Sequence, residues 1–405
     1  MPQASHVTLS SDALSATVFL PAAELAYYNS SRFDWSSMVG DVQFGGHEFF
    51  GGGLWRQPHD ARNPECGLGL ASEFGCGADG SVCAGGWQHA RDRSDNNTYP
   101  IANGVLGHDE AEIGGAFLKI GVGVLRRGRC DVCSDGDWLY HFNSRYDFAE
   151  PPEWTVSRHA RDSVTLSHEA RVGSYGYALE RNWAVNGARL TSTTTLTNLG
   201  QAMFRTPHYS HNLLTIDGAL VGDEYALELP FKSINYTEPG VDAGWATPLA
   251  AVARATTEDG AVAVDVVSAV GRDDKIKASF PRDDQAPAAL VATHRGPDGE
   301  TAWVATARSP RRPLYAYDLY VEAATLSPEP VSLLDLEPGA SATWTEMWAF
   351  GQGAPPAAGL LEPAGGGGKD VIPVAAAVLL ALGLLLRCGR RSRAGLADEG
   401  PHLAA

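Results

Sequence analysis

Positive charge is what this chain has least of. Its 405 residues carry 31 Lys and Arg against 48 Asp and Glu, a formal charge of -17. Neutralising phosphates takes clustered cations, and the body of the chain has no such cluster. Nucleic acid is therefore excluded as a partner, while neutral or cationic small molecules stay open. Paired Cys-x-x-Cys halves are also missing, since only Cys130-Asp-Val-Cys133 has that spacing. A structural zinc site uses two such halves, so loop disulfides are the better expectation for Cys66, Cys76, Cys83, Cys130 and Cys133. Their odd count leaves one thiol over. The first residues, MPQASHVTLSSDALSATVFLPAAEL, lack both the basic start and the apolar run of a secretory signal, which implies either a start downstream of the true one or insertion by the tail.

Turn-forming and aromatic residues are plentiful: 45 Gly, 24 Pro, 10 Trp and 13 Tyr. This suits a turn-rich β protein. From Val7 to about Gly351, short runs such as LSATVFLP, AFLKIGVGVLRR, SVTLSHEARV, ARLTSTTTLTNLG, AVAVDVVSAV and SATWTEMWAF alternate with period two or are rich in β-branched and aromatic residues, and none needs a helix. Asn186-Gly187, between two such runs, predicts a two-residue hairpin turn. With no strong linker before about Gly353, residues 1–352 are expected to form one large antiparallel β-sandwich. Residues 63–109 break the alternation with glycines and three cysteines and read as a long loop insertion.

Residues 353–370 form a Pro- and Gly-rich linker to an uncharged apolar run, Val371 to Leu386, read as a single transmembrane helix over 371–387. The run is slightly short of the roughly 20 residues a span usually needs, and snorkelling arginines would extend it. Arg387, Arg390, Arg391 and Arg393 mark the cytoplasmic side, so residues 388–405 are a short basic-then-acidic tail and the N-terminal domain is lumenal or extracellular. Sequons at Asn29, Asn96 and Asn235 permit glycosylation there, and Cys388 is placed for palmitoylation.

Chemistry concentrates in Thr206 to Gly218, TPHYSHNLLTIDG, where His208 and His211 stand at i and i+3 beside Asn212. Imidazole is the one side chain that titrates near neutrality without tuning. On a regular strand i and i+3 point to opposite faces, so only one of the two is expected to reach a cleft. The partner carboxylate is expected to be Glu322, since alternation along Tyr315 to Ala323 puts Asp318, Tyr320 and Glu322 on one polar, aromatic face suited to a sugar.

These segments resemble the galactose mutarotase-like proteins, which include aldose 1-epimerases and hexose-phosphate epimerases. In that family a histidine lies in an Asn-His-Ser/Thr-Tyr-Phe-Asn-Leu segment after a Thr-Asn-rich strand, and here TLTNLG precedes PHYSHNLL. An ungapped match puts His208 at the catalytic histidine, and a shift puts His211 there. The family's catalytic glutamate precedes a Pro-Val-Leu-Leu-x-Pro-Gly turn and a last strand ending in aromatic-x-Phe, an order reproduced by LYVEAATLSPEPVSLLDLEPGASATWTEMWAF, which carries that role to Glu322. AYYNSSRFDWSSMVGDVQFGG is similar to uncharacterised mutarotase-like proteins with a Tyr-Tyr-x-x-x-Arg-Phe-Asp-Trp-Ser segment. Two family elements, Gly-Arg-x-x-Asn-Arg and Asn-His-Leu-His-Gly-Gly, are absent, so Arg32 is the candidate for the missing guanidinium, with a salt bridge to Asp34 or another carboxylate as its alternative. Asp34, Asn212, Trp35 and His47 complete the candidate substrate-binding set.

The resemblance implies interconversion of sugar anomers without metal or other cofactor. Glu322 would take the anomeric proton while His211, or His208 close behind, protonates the ring oxygen. The alternatives are a non-catalytic carbohydrate-binding module and a glycan hydrolase or lyase, the hydrolase needing a second carboxylate across the cleft.

Overall fold

Alternation along the chain becomes alternation of burial. In the computed structural model every second residue of Arg189–Asn198 is buried, and Leu14–Phe19 follows the same rule, as strands with one face on a core must. The model describes residues 5–21, 26–51, 59–67, 69–75, 105–129, 140–238, 241, 244–258, 261–280, 288–310 and 314–356. All lie in one unit, Met1–Pro363.

Two large antiparallel sheets carry the fold. One runs, in order across the sheet, His6–Ser10, Leu14–Phe19, Val39–Phe44, Leu70–Phe74, Phe204–Asn212, Thr325–Leu336, Ala316–Glu322 and Ile276–Phe280, with His47–Phe49 paired to Val39–Phe44. The other runs Ala253–Glu258, Ala261–Val266, Tyr225–Leu229, Leu290–Arg295, Thr301–Ser309, Ser341–Gln352, Arg189–Asn198, Tyr175–Asn186, Ser163–Val172 and Thr155–Ala160. A third, small sheet joins Val105–Leu106, Ala116–Lys119 and Gly123–Arg126. Single-turn 3-10 helices at Trp35–Ser37 and Leu249–Ala251 are the named helices among the described residues. The chain is thus all-β, as its composition suggests.

Side chains from both large sheets meet in one core, with Val18, Val42 and Phe49 from the first and Trp183, Leu190, Trp348 and Phe350 from the second. The 204–212 strand differs from an ordinary sandwich strand because every residue except Phe204's neighbour Arg205 is buried. On its second face Phe33, from a separate cluster that includes Tyr28, Trp35, Phe117, Tyr140 and Tyr146, meets the His211 ring edge-on at 5.0 Å.

Two sequence expectations change. The hairpin at Asn186-Gly187 exists, but Asn186 pairs with Arg189, so the turn residues are Gly187-Ala188. Gly187 takes the first central position with φ +56°, where the type II′ hairpin requires positive φ. The expected 63–109 loop includes Leu70–Phe74, a strand in the middle of the first sheet. Its five residues are too few, between glycines, to announce themselves by period alone. No helix among the described residues is long and apolar enough to cross a membrane, and the 371–387 run, its linker and its tail lie outside them, as do Cys76, Cys83, Cys130 and Cys133.

Candidate functional site

The two histidines separate by strand parity. His208 lies opposite Phe74 in the ladder and turns into the space between the large sheets. Its ring sits 4.7 Å from Phe74 and 4.6 Å from Trp344, fully buried, and neither ring nitrogen has a hydrogen bond. Burial first, then the Arg308 and Arg181 cations, hold its pKa well below the usual value. This is a neutral, apolar-packed imidazole. Tyr209 and His211 take the opposite face, where Phe33 meets His211.

His211 meets two carboxylates. Its Nδ1 is 2.7 Å from Glu329 Oε1, and its Nε2 is 3.2 Å from Glu73 Oε2. Two carboxylate oxygens, one at each ring nitrogen, are the surroundings that favour a doubly protonated imidazolium. Burial alone would lower its pKa, but the charge and hydrogen bond of Glu329, then the hydrogen bond of Glu73, overcome this and raise it.

Register explains how Glu329 arrives. The 204–212 and 325–336 strands pair antiparallel from Phe204–Leu336 to His208–Ser332, and three further steps would bring His211 opposite Glu329. Glu73 comes from the other neighbour, where it pairs with Tyr209 while Ala71 pairs with His211. Gly69 opens that strand at φ +49°, and a Cβ there would fall 1.9 Å from Val39 O.

Glu73 is the hub. Its Oε2 accepts from Arg32 Nε at 3.0 Å, from Tyr209 Oη at 3.0 Å and from His211. Its Oε1 has no hydrogen bond and faces the Lys119 ammonium at 3.6 Å. Burial would raise the Glu73 pKa, but Arg32 and Lys119 carry it far below the carboxylate range. Arg32 lies between Phe33 and Phe142, 4.6 and 4.3 Å from their centroids, and donates Nη1 to Asn143 Oδ1 at 3.3 Å. Glu329 binds His211 and Ser327 through Oε1. The side chains of His211, Glu329 and Arg32 keep 7%, 8% and 10% exposure where Glu73 has none.

The other expected residues fall elsewhere. Asp34 is paired with Arg181 at 2.8 Å rather than with Arg32, and it caps the 35–37 turn through Ser36 N. Trp35 donates to Ser30 O and packs on Phe148. Asn212 ties Pro328 O to the Trp348 indole, which fixes the strand end. His47 pairs with Asp217 at 2.8 Å on the partly exposed edge. Glu322 ends its strand at a tight turn, opposite Thr325, with Tyr320 Oη donating to its carboxylate, and neither histidine touches it. The hairpin reverses the chain there, so Glu329 is the glutamate that returns to His211. Its signal was legible: it, not Glu322, directly precedes Pro330-Val331-Ser332-Leu333-Leu334. Glu73, Lys119 and Tyr209 had no comparable motif. No group of three or more potential metal ligands assembles among the described residues.

No family model matches the chain, and no curated protein does. Solved structures similar to it include a galactose mutarotase related enzyme from Lactobacillus acidophilus, at 11% identity and TM-score 0.43, covering 85% of this chain and 97% of that one. A galactose mutarotase-like protein from Clostridium acetobutylicum shows 9% identity and TM-score 0.44 over 85% and 94%. An aldose epimerase homologue from C. elegans shows 11% identity and TM-score 0.41 over 85% and 98%. These neighbours belong to the superfamily that the sequence motifs resemble, and likeness at this level bears on neither reaction nor substrate.

Proposed function

We propose that this protein interconverts the anomers of a sugar by acid-base catalysis at His211 and Glu329. The observation that carries the reading is an imidazole held between two buried carboxylates at 2.7 and 3.2 Å, at a point where the side chains of His211, Glu329 and Arg32 keep some exposure. The longer contact, to Glu73, is the one a ligand oxygen displaces. His211 then gives its Nε2 proton to the ring oxygen, while Glu329 takes the proton of the anomeric hydroxyl. The ring opens, the C1 to C2 bond turns, and closure returns both protons. Arg32 offers its guanidinium edge to ring hydroxyls. Glu73, once displaced from Nε2, takes no proton in this scheme and positions His211 and Arg32.

One observation favours a second reading, a sugar-binding module without turnover: both imidazole N–H groups are already engaged. Anomer exchange followed by NMR over a panel of aldoses separates the two. The proposed enzyme accelerates exchange and loses the acceleration in His211→Ala; binding without acceleration establishes the module and ends the isomerase reading. The 371–387 run is proposed to tether the domain to a membrane with the sandwich on the lumenal or extracellular side, which protease protection of the full chain in microsomes tests.

A further inference from the structure

Lys119 is the group in this cluster for which the proposed chemistry has no use. Lysine is almost never fully buried unless paired, yet its side chain has no exposure. It donates to Phe74 O, the strand neighbour of Glu73. Beyond that its ammonium faces Glu73 Oε1, an atom with no hydrogen bond of its own. The carboxylate is therefore divided. Oε2 is shared by Arg32, Tyr209 and His211, while the charge on Oε1 is met by Lys119 alone.

This division controls how tightly the imidazolium is held. A carboxylate whose charge is drawn toward one oxygen accepts more weakly at the other, and His211 has the longest of the three contacts to Oε2, 3.2 Å against 3.0 Å and 3.0 Å. We infer that Lys119 is a positioning residue for proton transfer: by compensating Glu73 Oε1 it keeps the Glu73 to His211 contact weak enough for a ligand oxygen to replace it. The inference rests on the proposed role of His211 for its bearing on catalysis. The coupling between Lys119 and His211 stands on the geometry.

The charged and titratable groups that face Lys119 come from four segments. Glu73 lies on the 70–74 strand, and Arg32 acts from the segment before the 35–37 turn. Tyr140 presents its ring 5.5 Å from Nζ, and Tyr177 donates to the Lys119 carbonyl. Burial lowers the Lys119 pKa, Glu73 opposes this, and the result is about 8. The ammonium is thus present at neutral pH and lost in the mildly alkaline range. Tyr140 and Tyr177 stay neutral there, because burial holds both well above the usual phenol value, so neither adds a negative charge as the ammonium discharges.

The test is an NMR titration of His211 in the full, isotope-labelled chain, comparing wild type with Lys119→Met. Removing the ammonium should raise the His211 pKa, since Glu73 then holds the imidazolium more tightly. A merely structural role would loosen the cluster and lower it. Should Lys119→Met not fold, wild type supplies the same test: as pH passes about 8, the His211 Nε2 proton should move downfield while Lys119 discharges. In turnover of an aldose that the wild type accepts, Lys119→Met should lower kcat roughly tenfold, part of what acid-base catalysis contributes, with KM unchanged. An unchanged or lowered His211 pKa, or no downfield movement in wild type, overturns the inference. Absence of turnover in wild type overturns the isomerase reading instead, and the NMR result still decides the coupling.

Discussion

Replacing Glu73 by Gln isolates the electrostatics of the site at nearly constant shape. The glutamine oxygen can still accept from Arg32 and Tyr209, so the change removes one negative charge and little else. Glu73 and Lys119 have no side-chain exposure, and Arg32 has 10%. Removing one partner of such a buried pair costs about 3–5 kcal/mol. The three cations respond differently. Arg32 cannot discharge and bears the full loss. Lys119 titrates at about 8, so losing its proton at neutral pH caps its share at roughly 1.4 kcal/mol, one pKa unit. His211 can also give up its proton. The total should therefore sit at the low end, about 3 kcal/mol at pH 7. For a unit that spans Met1–Pro363 that is a fall in Tm of about 4 °C. Differential scanning calorimetry and urea midpoints on wild type and Glu73→Gln measure it. A variant within about 0.5 kcal/mol of wild type, the range of an ordinary surface substitution, would show that the cluster is solvated and would refute the reasoning.

Three further outcomes follow from the same contacts. His208→Leu should match or exceed wild-type stability, because it removes two buried nitrogens without hydrogen bonds, each carrying a desolvation cost of about 1–3 kcal/mol; a large loss in the urea midpoint would contradict the assignment of His208 to the apolar space. Gly69→Ala should disrupt the strand that carries Glu73, since its Cβ would meet Val39 O at 1.9 Å in a backbone conformation costly for alanine; it should fold poorly or lose His211's raised pKa. Asp318, buried beside Lys277 and Glu329, has its pKa pushed by burial from 3.8 to about 7. The folded state therefore holds the extra proton across that window, stability falls as pH rises through it, and Asp318→Asn should show a flatter urea-midpoint profile there.

The strands were legible because their alternation is local, and burial follows it residue by residue in Arg189–Asn198. The parity argument also separated His208 from His211 without knowing what either touched. Partners were harder. Alternation says which face Glu322 occupies but not which strand lies alongside it, and that depends on the hairpin turn at Ala323-Ala324, between Glu322 and its partner Thr325. Glu73 sits in ECGLGLASEFGCG, where glycine and cysteine outweigh a five-residue strand, and Lys119 read as one residue of an alternating run. A hub assembled from the 32, 73, 119, 209, 211 and 329 positions is held by register between strands far apart in the chain. Composition and spacing do not encode that register.

The His211–Glu329 pair is the centre of the account, and anomer exchange in Glu329→Gln beside Glu322→Gln tests it most directly. The account predicts that Glu329→Gln loses at least about a hundredfold in kcat, the lower bound for a positioned acid or base, while Glu322→Gln keeps wild-type exchange. Full activity in Glu329→Gln together with loss in Glu322→Gln would contradict it.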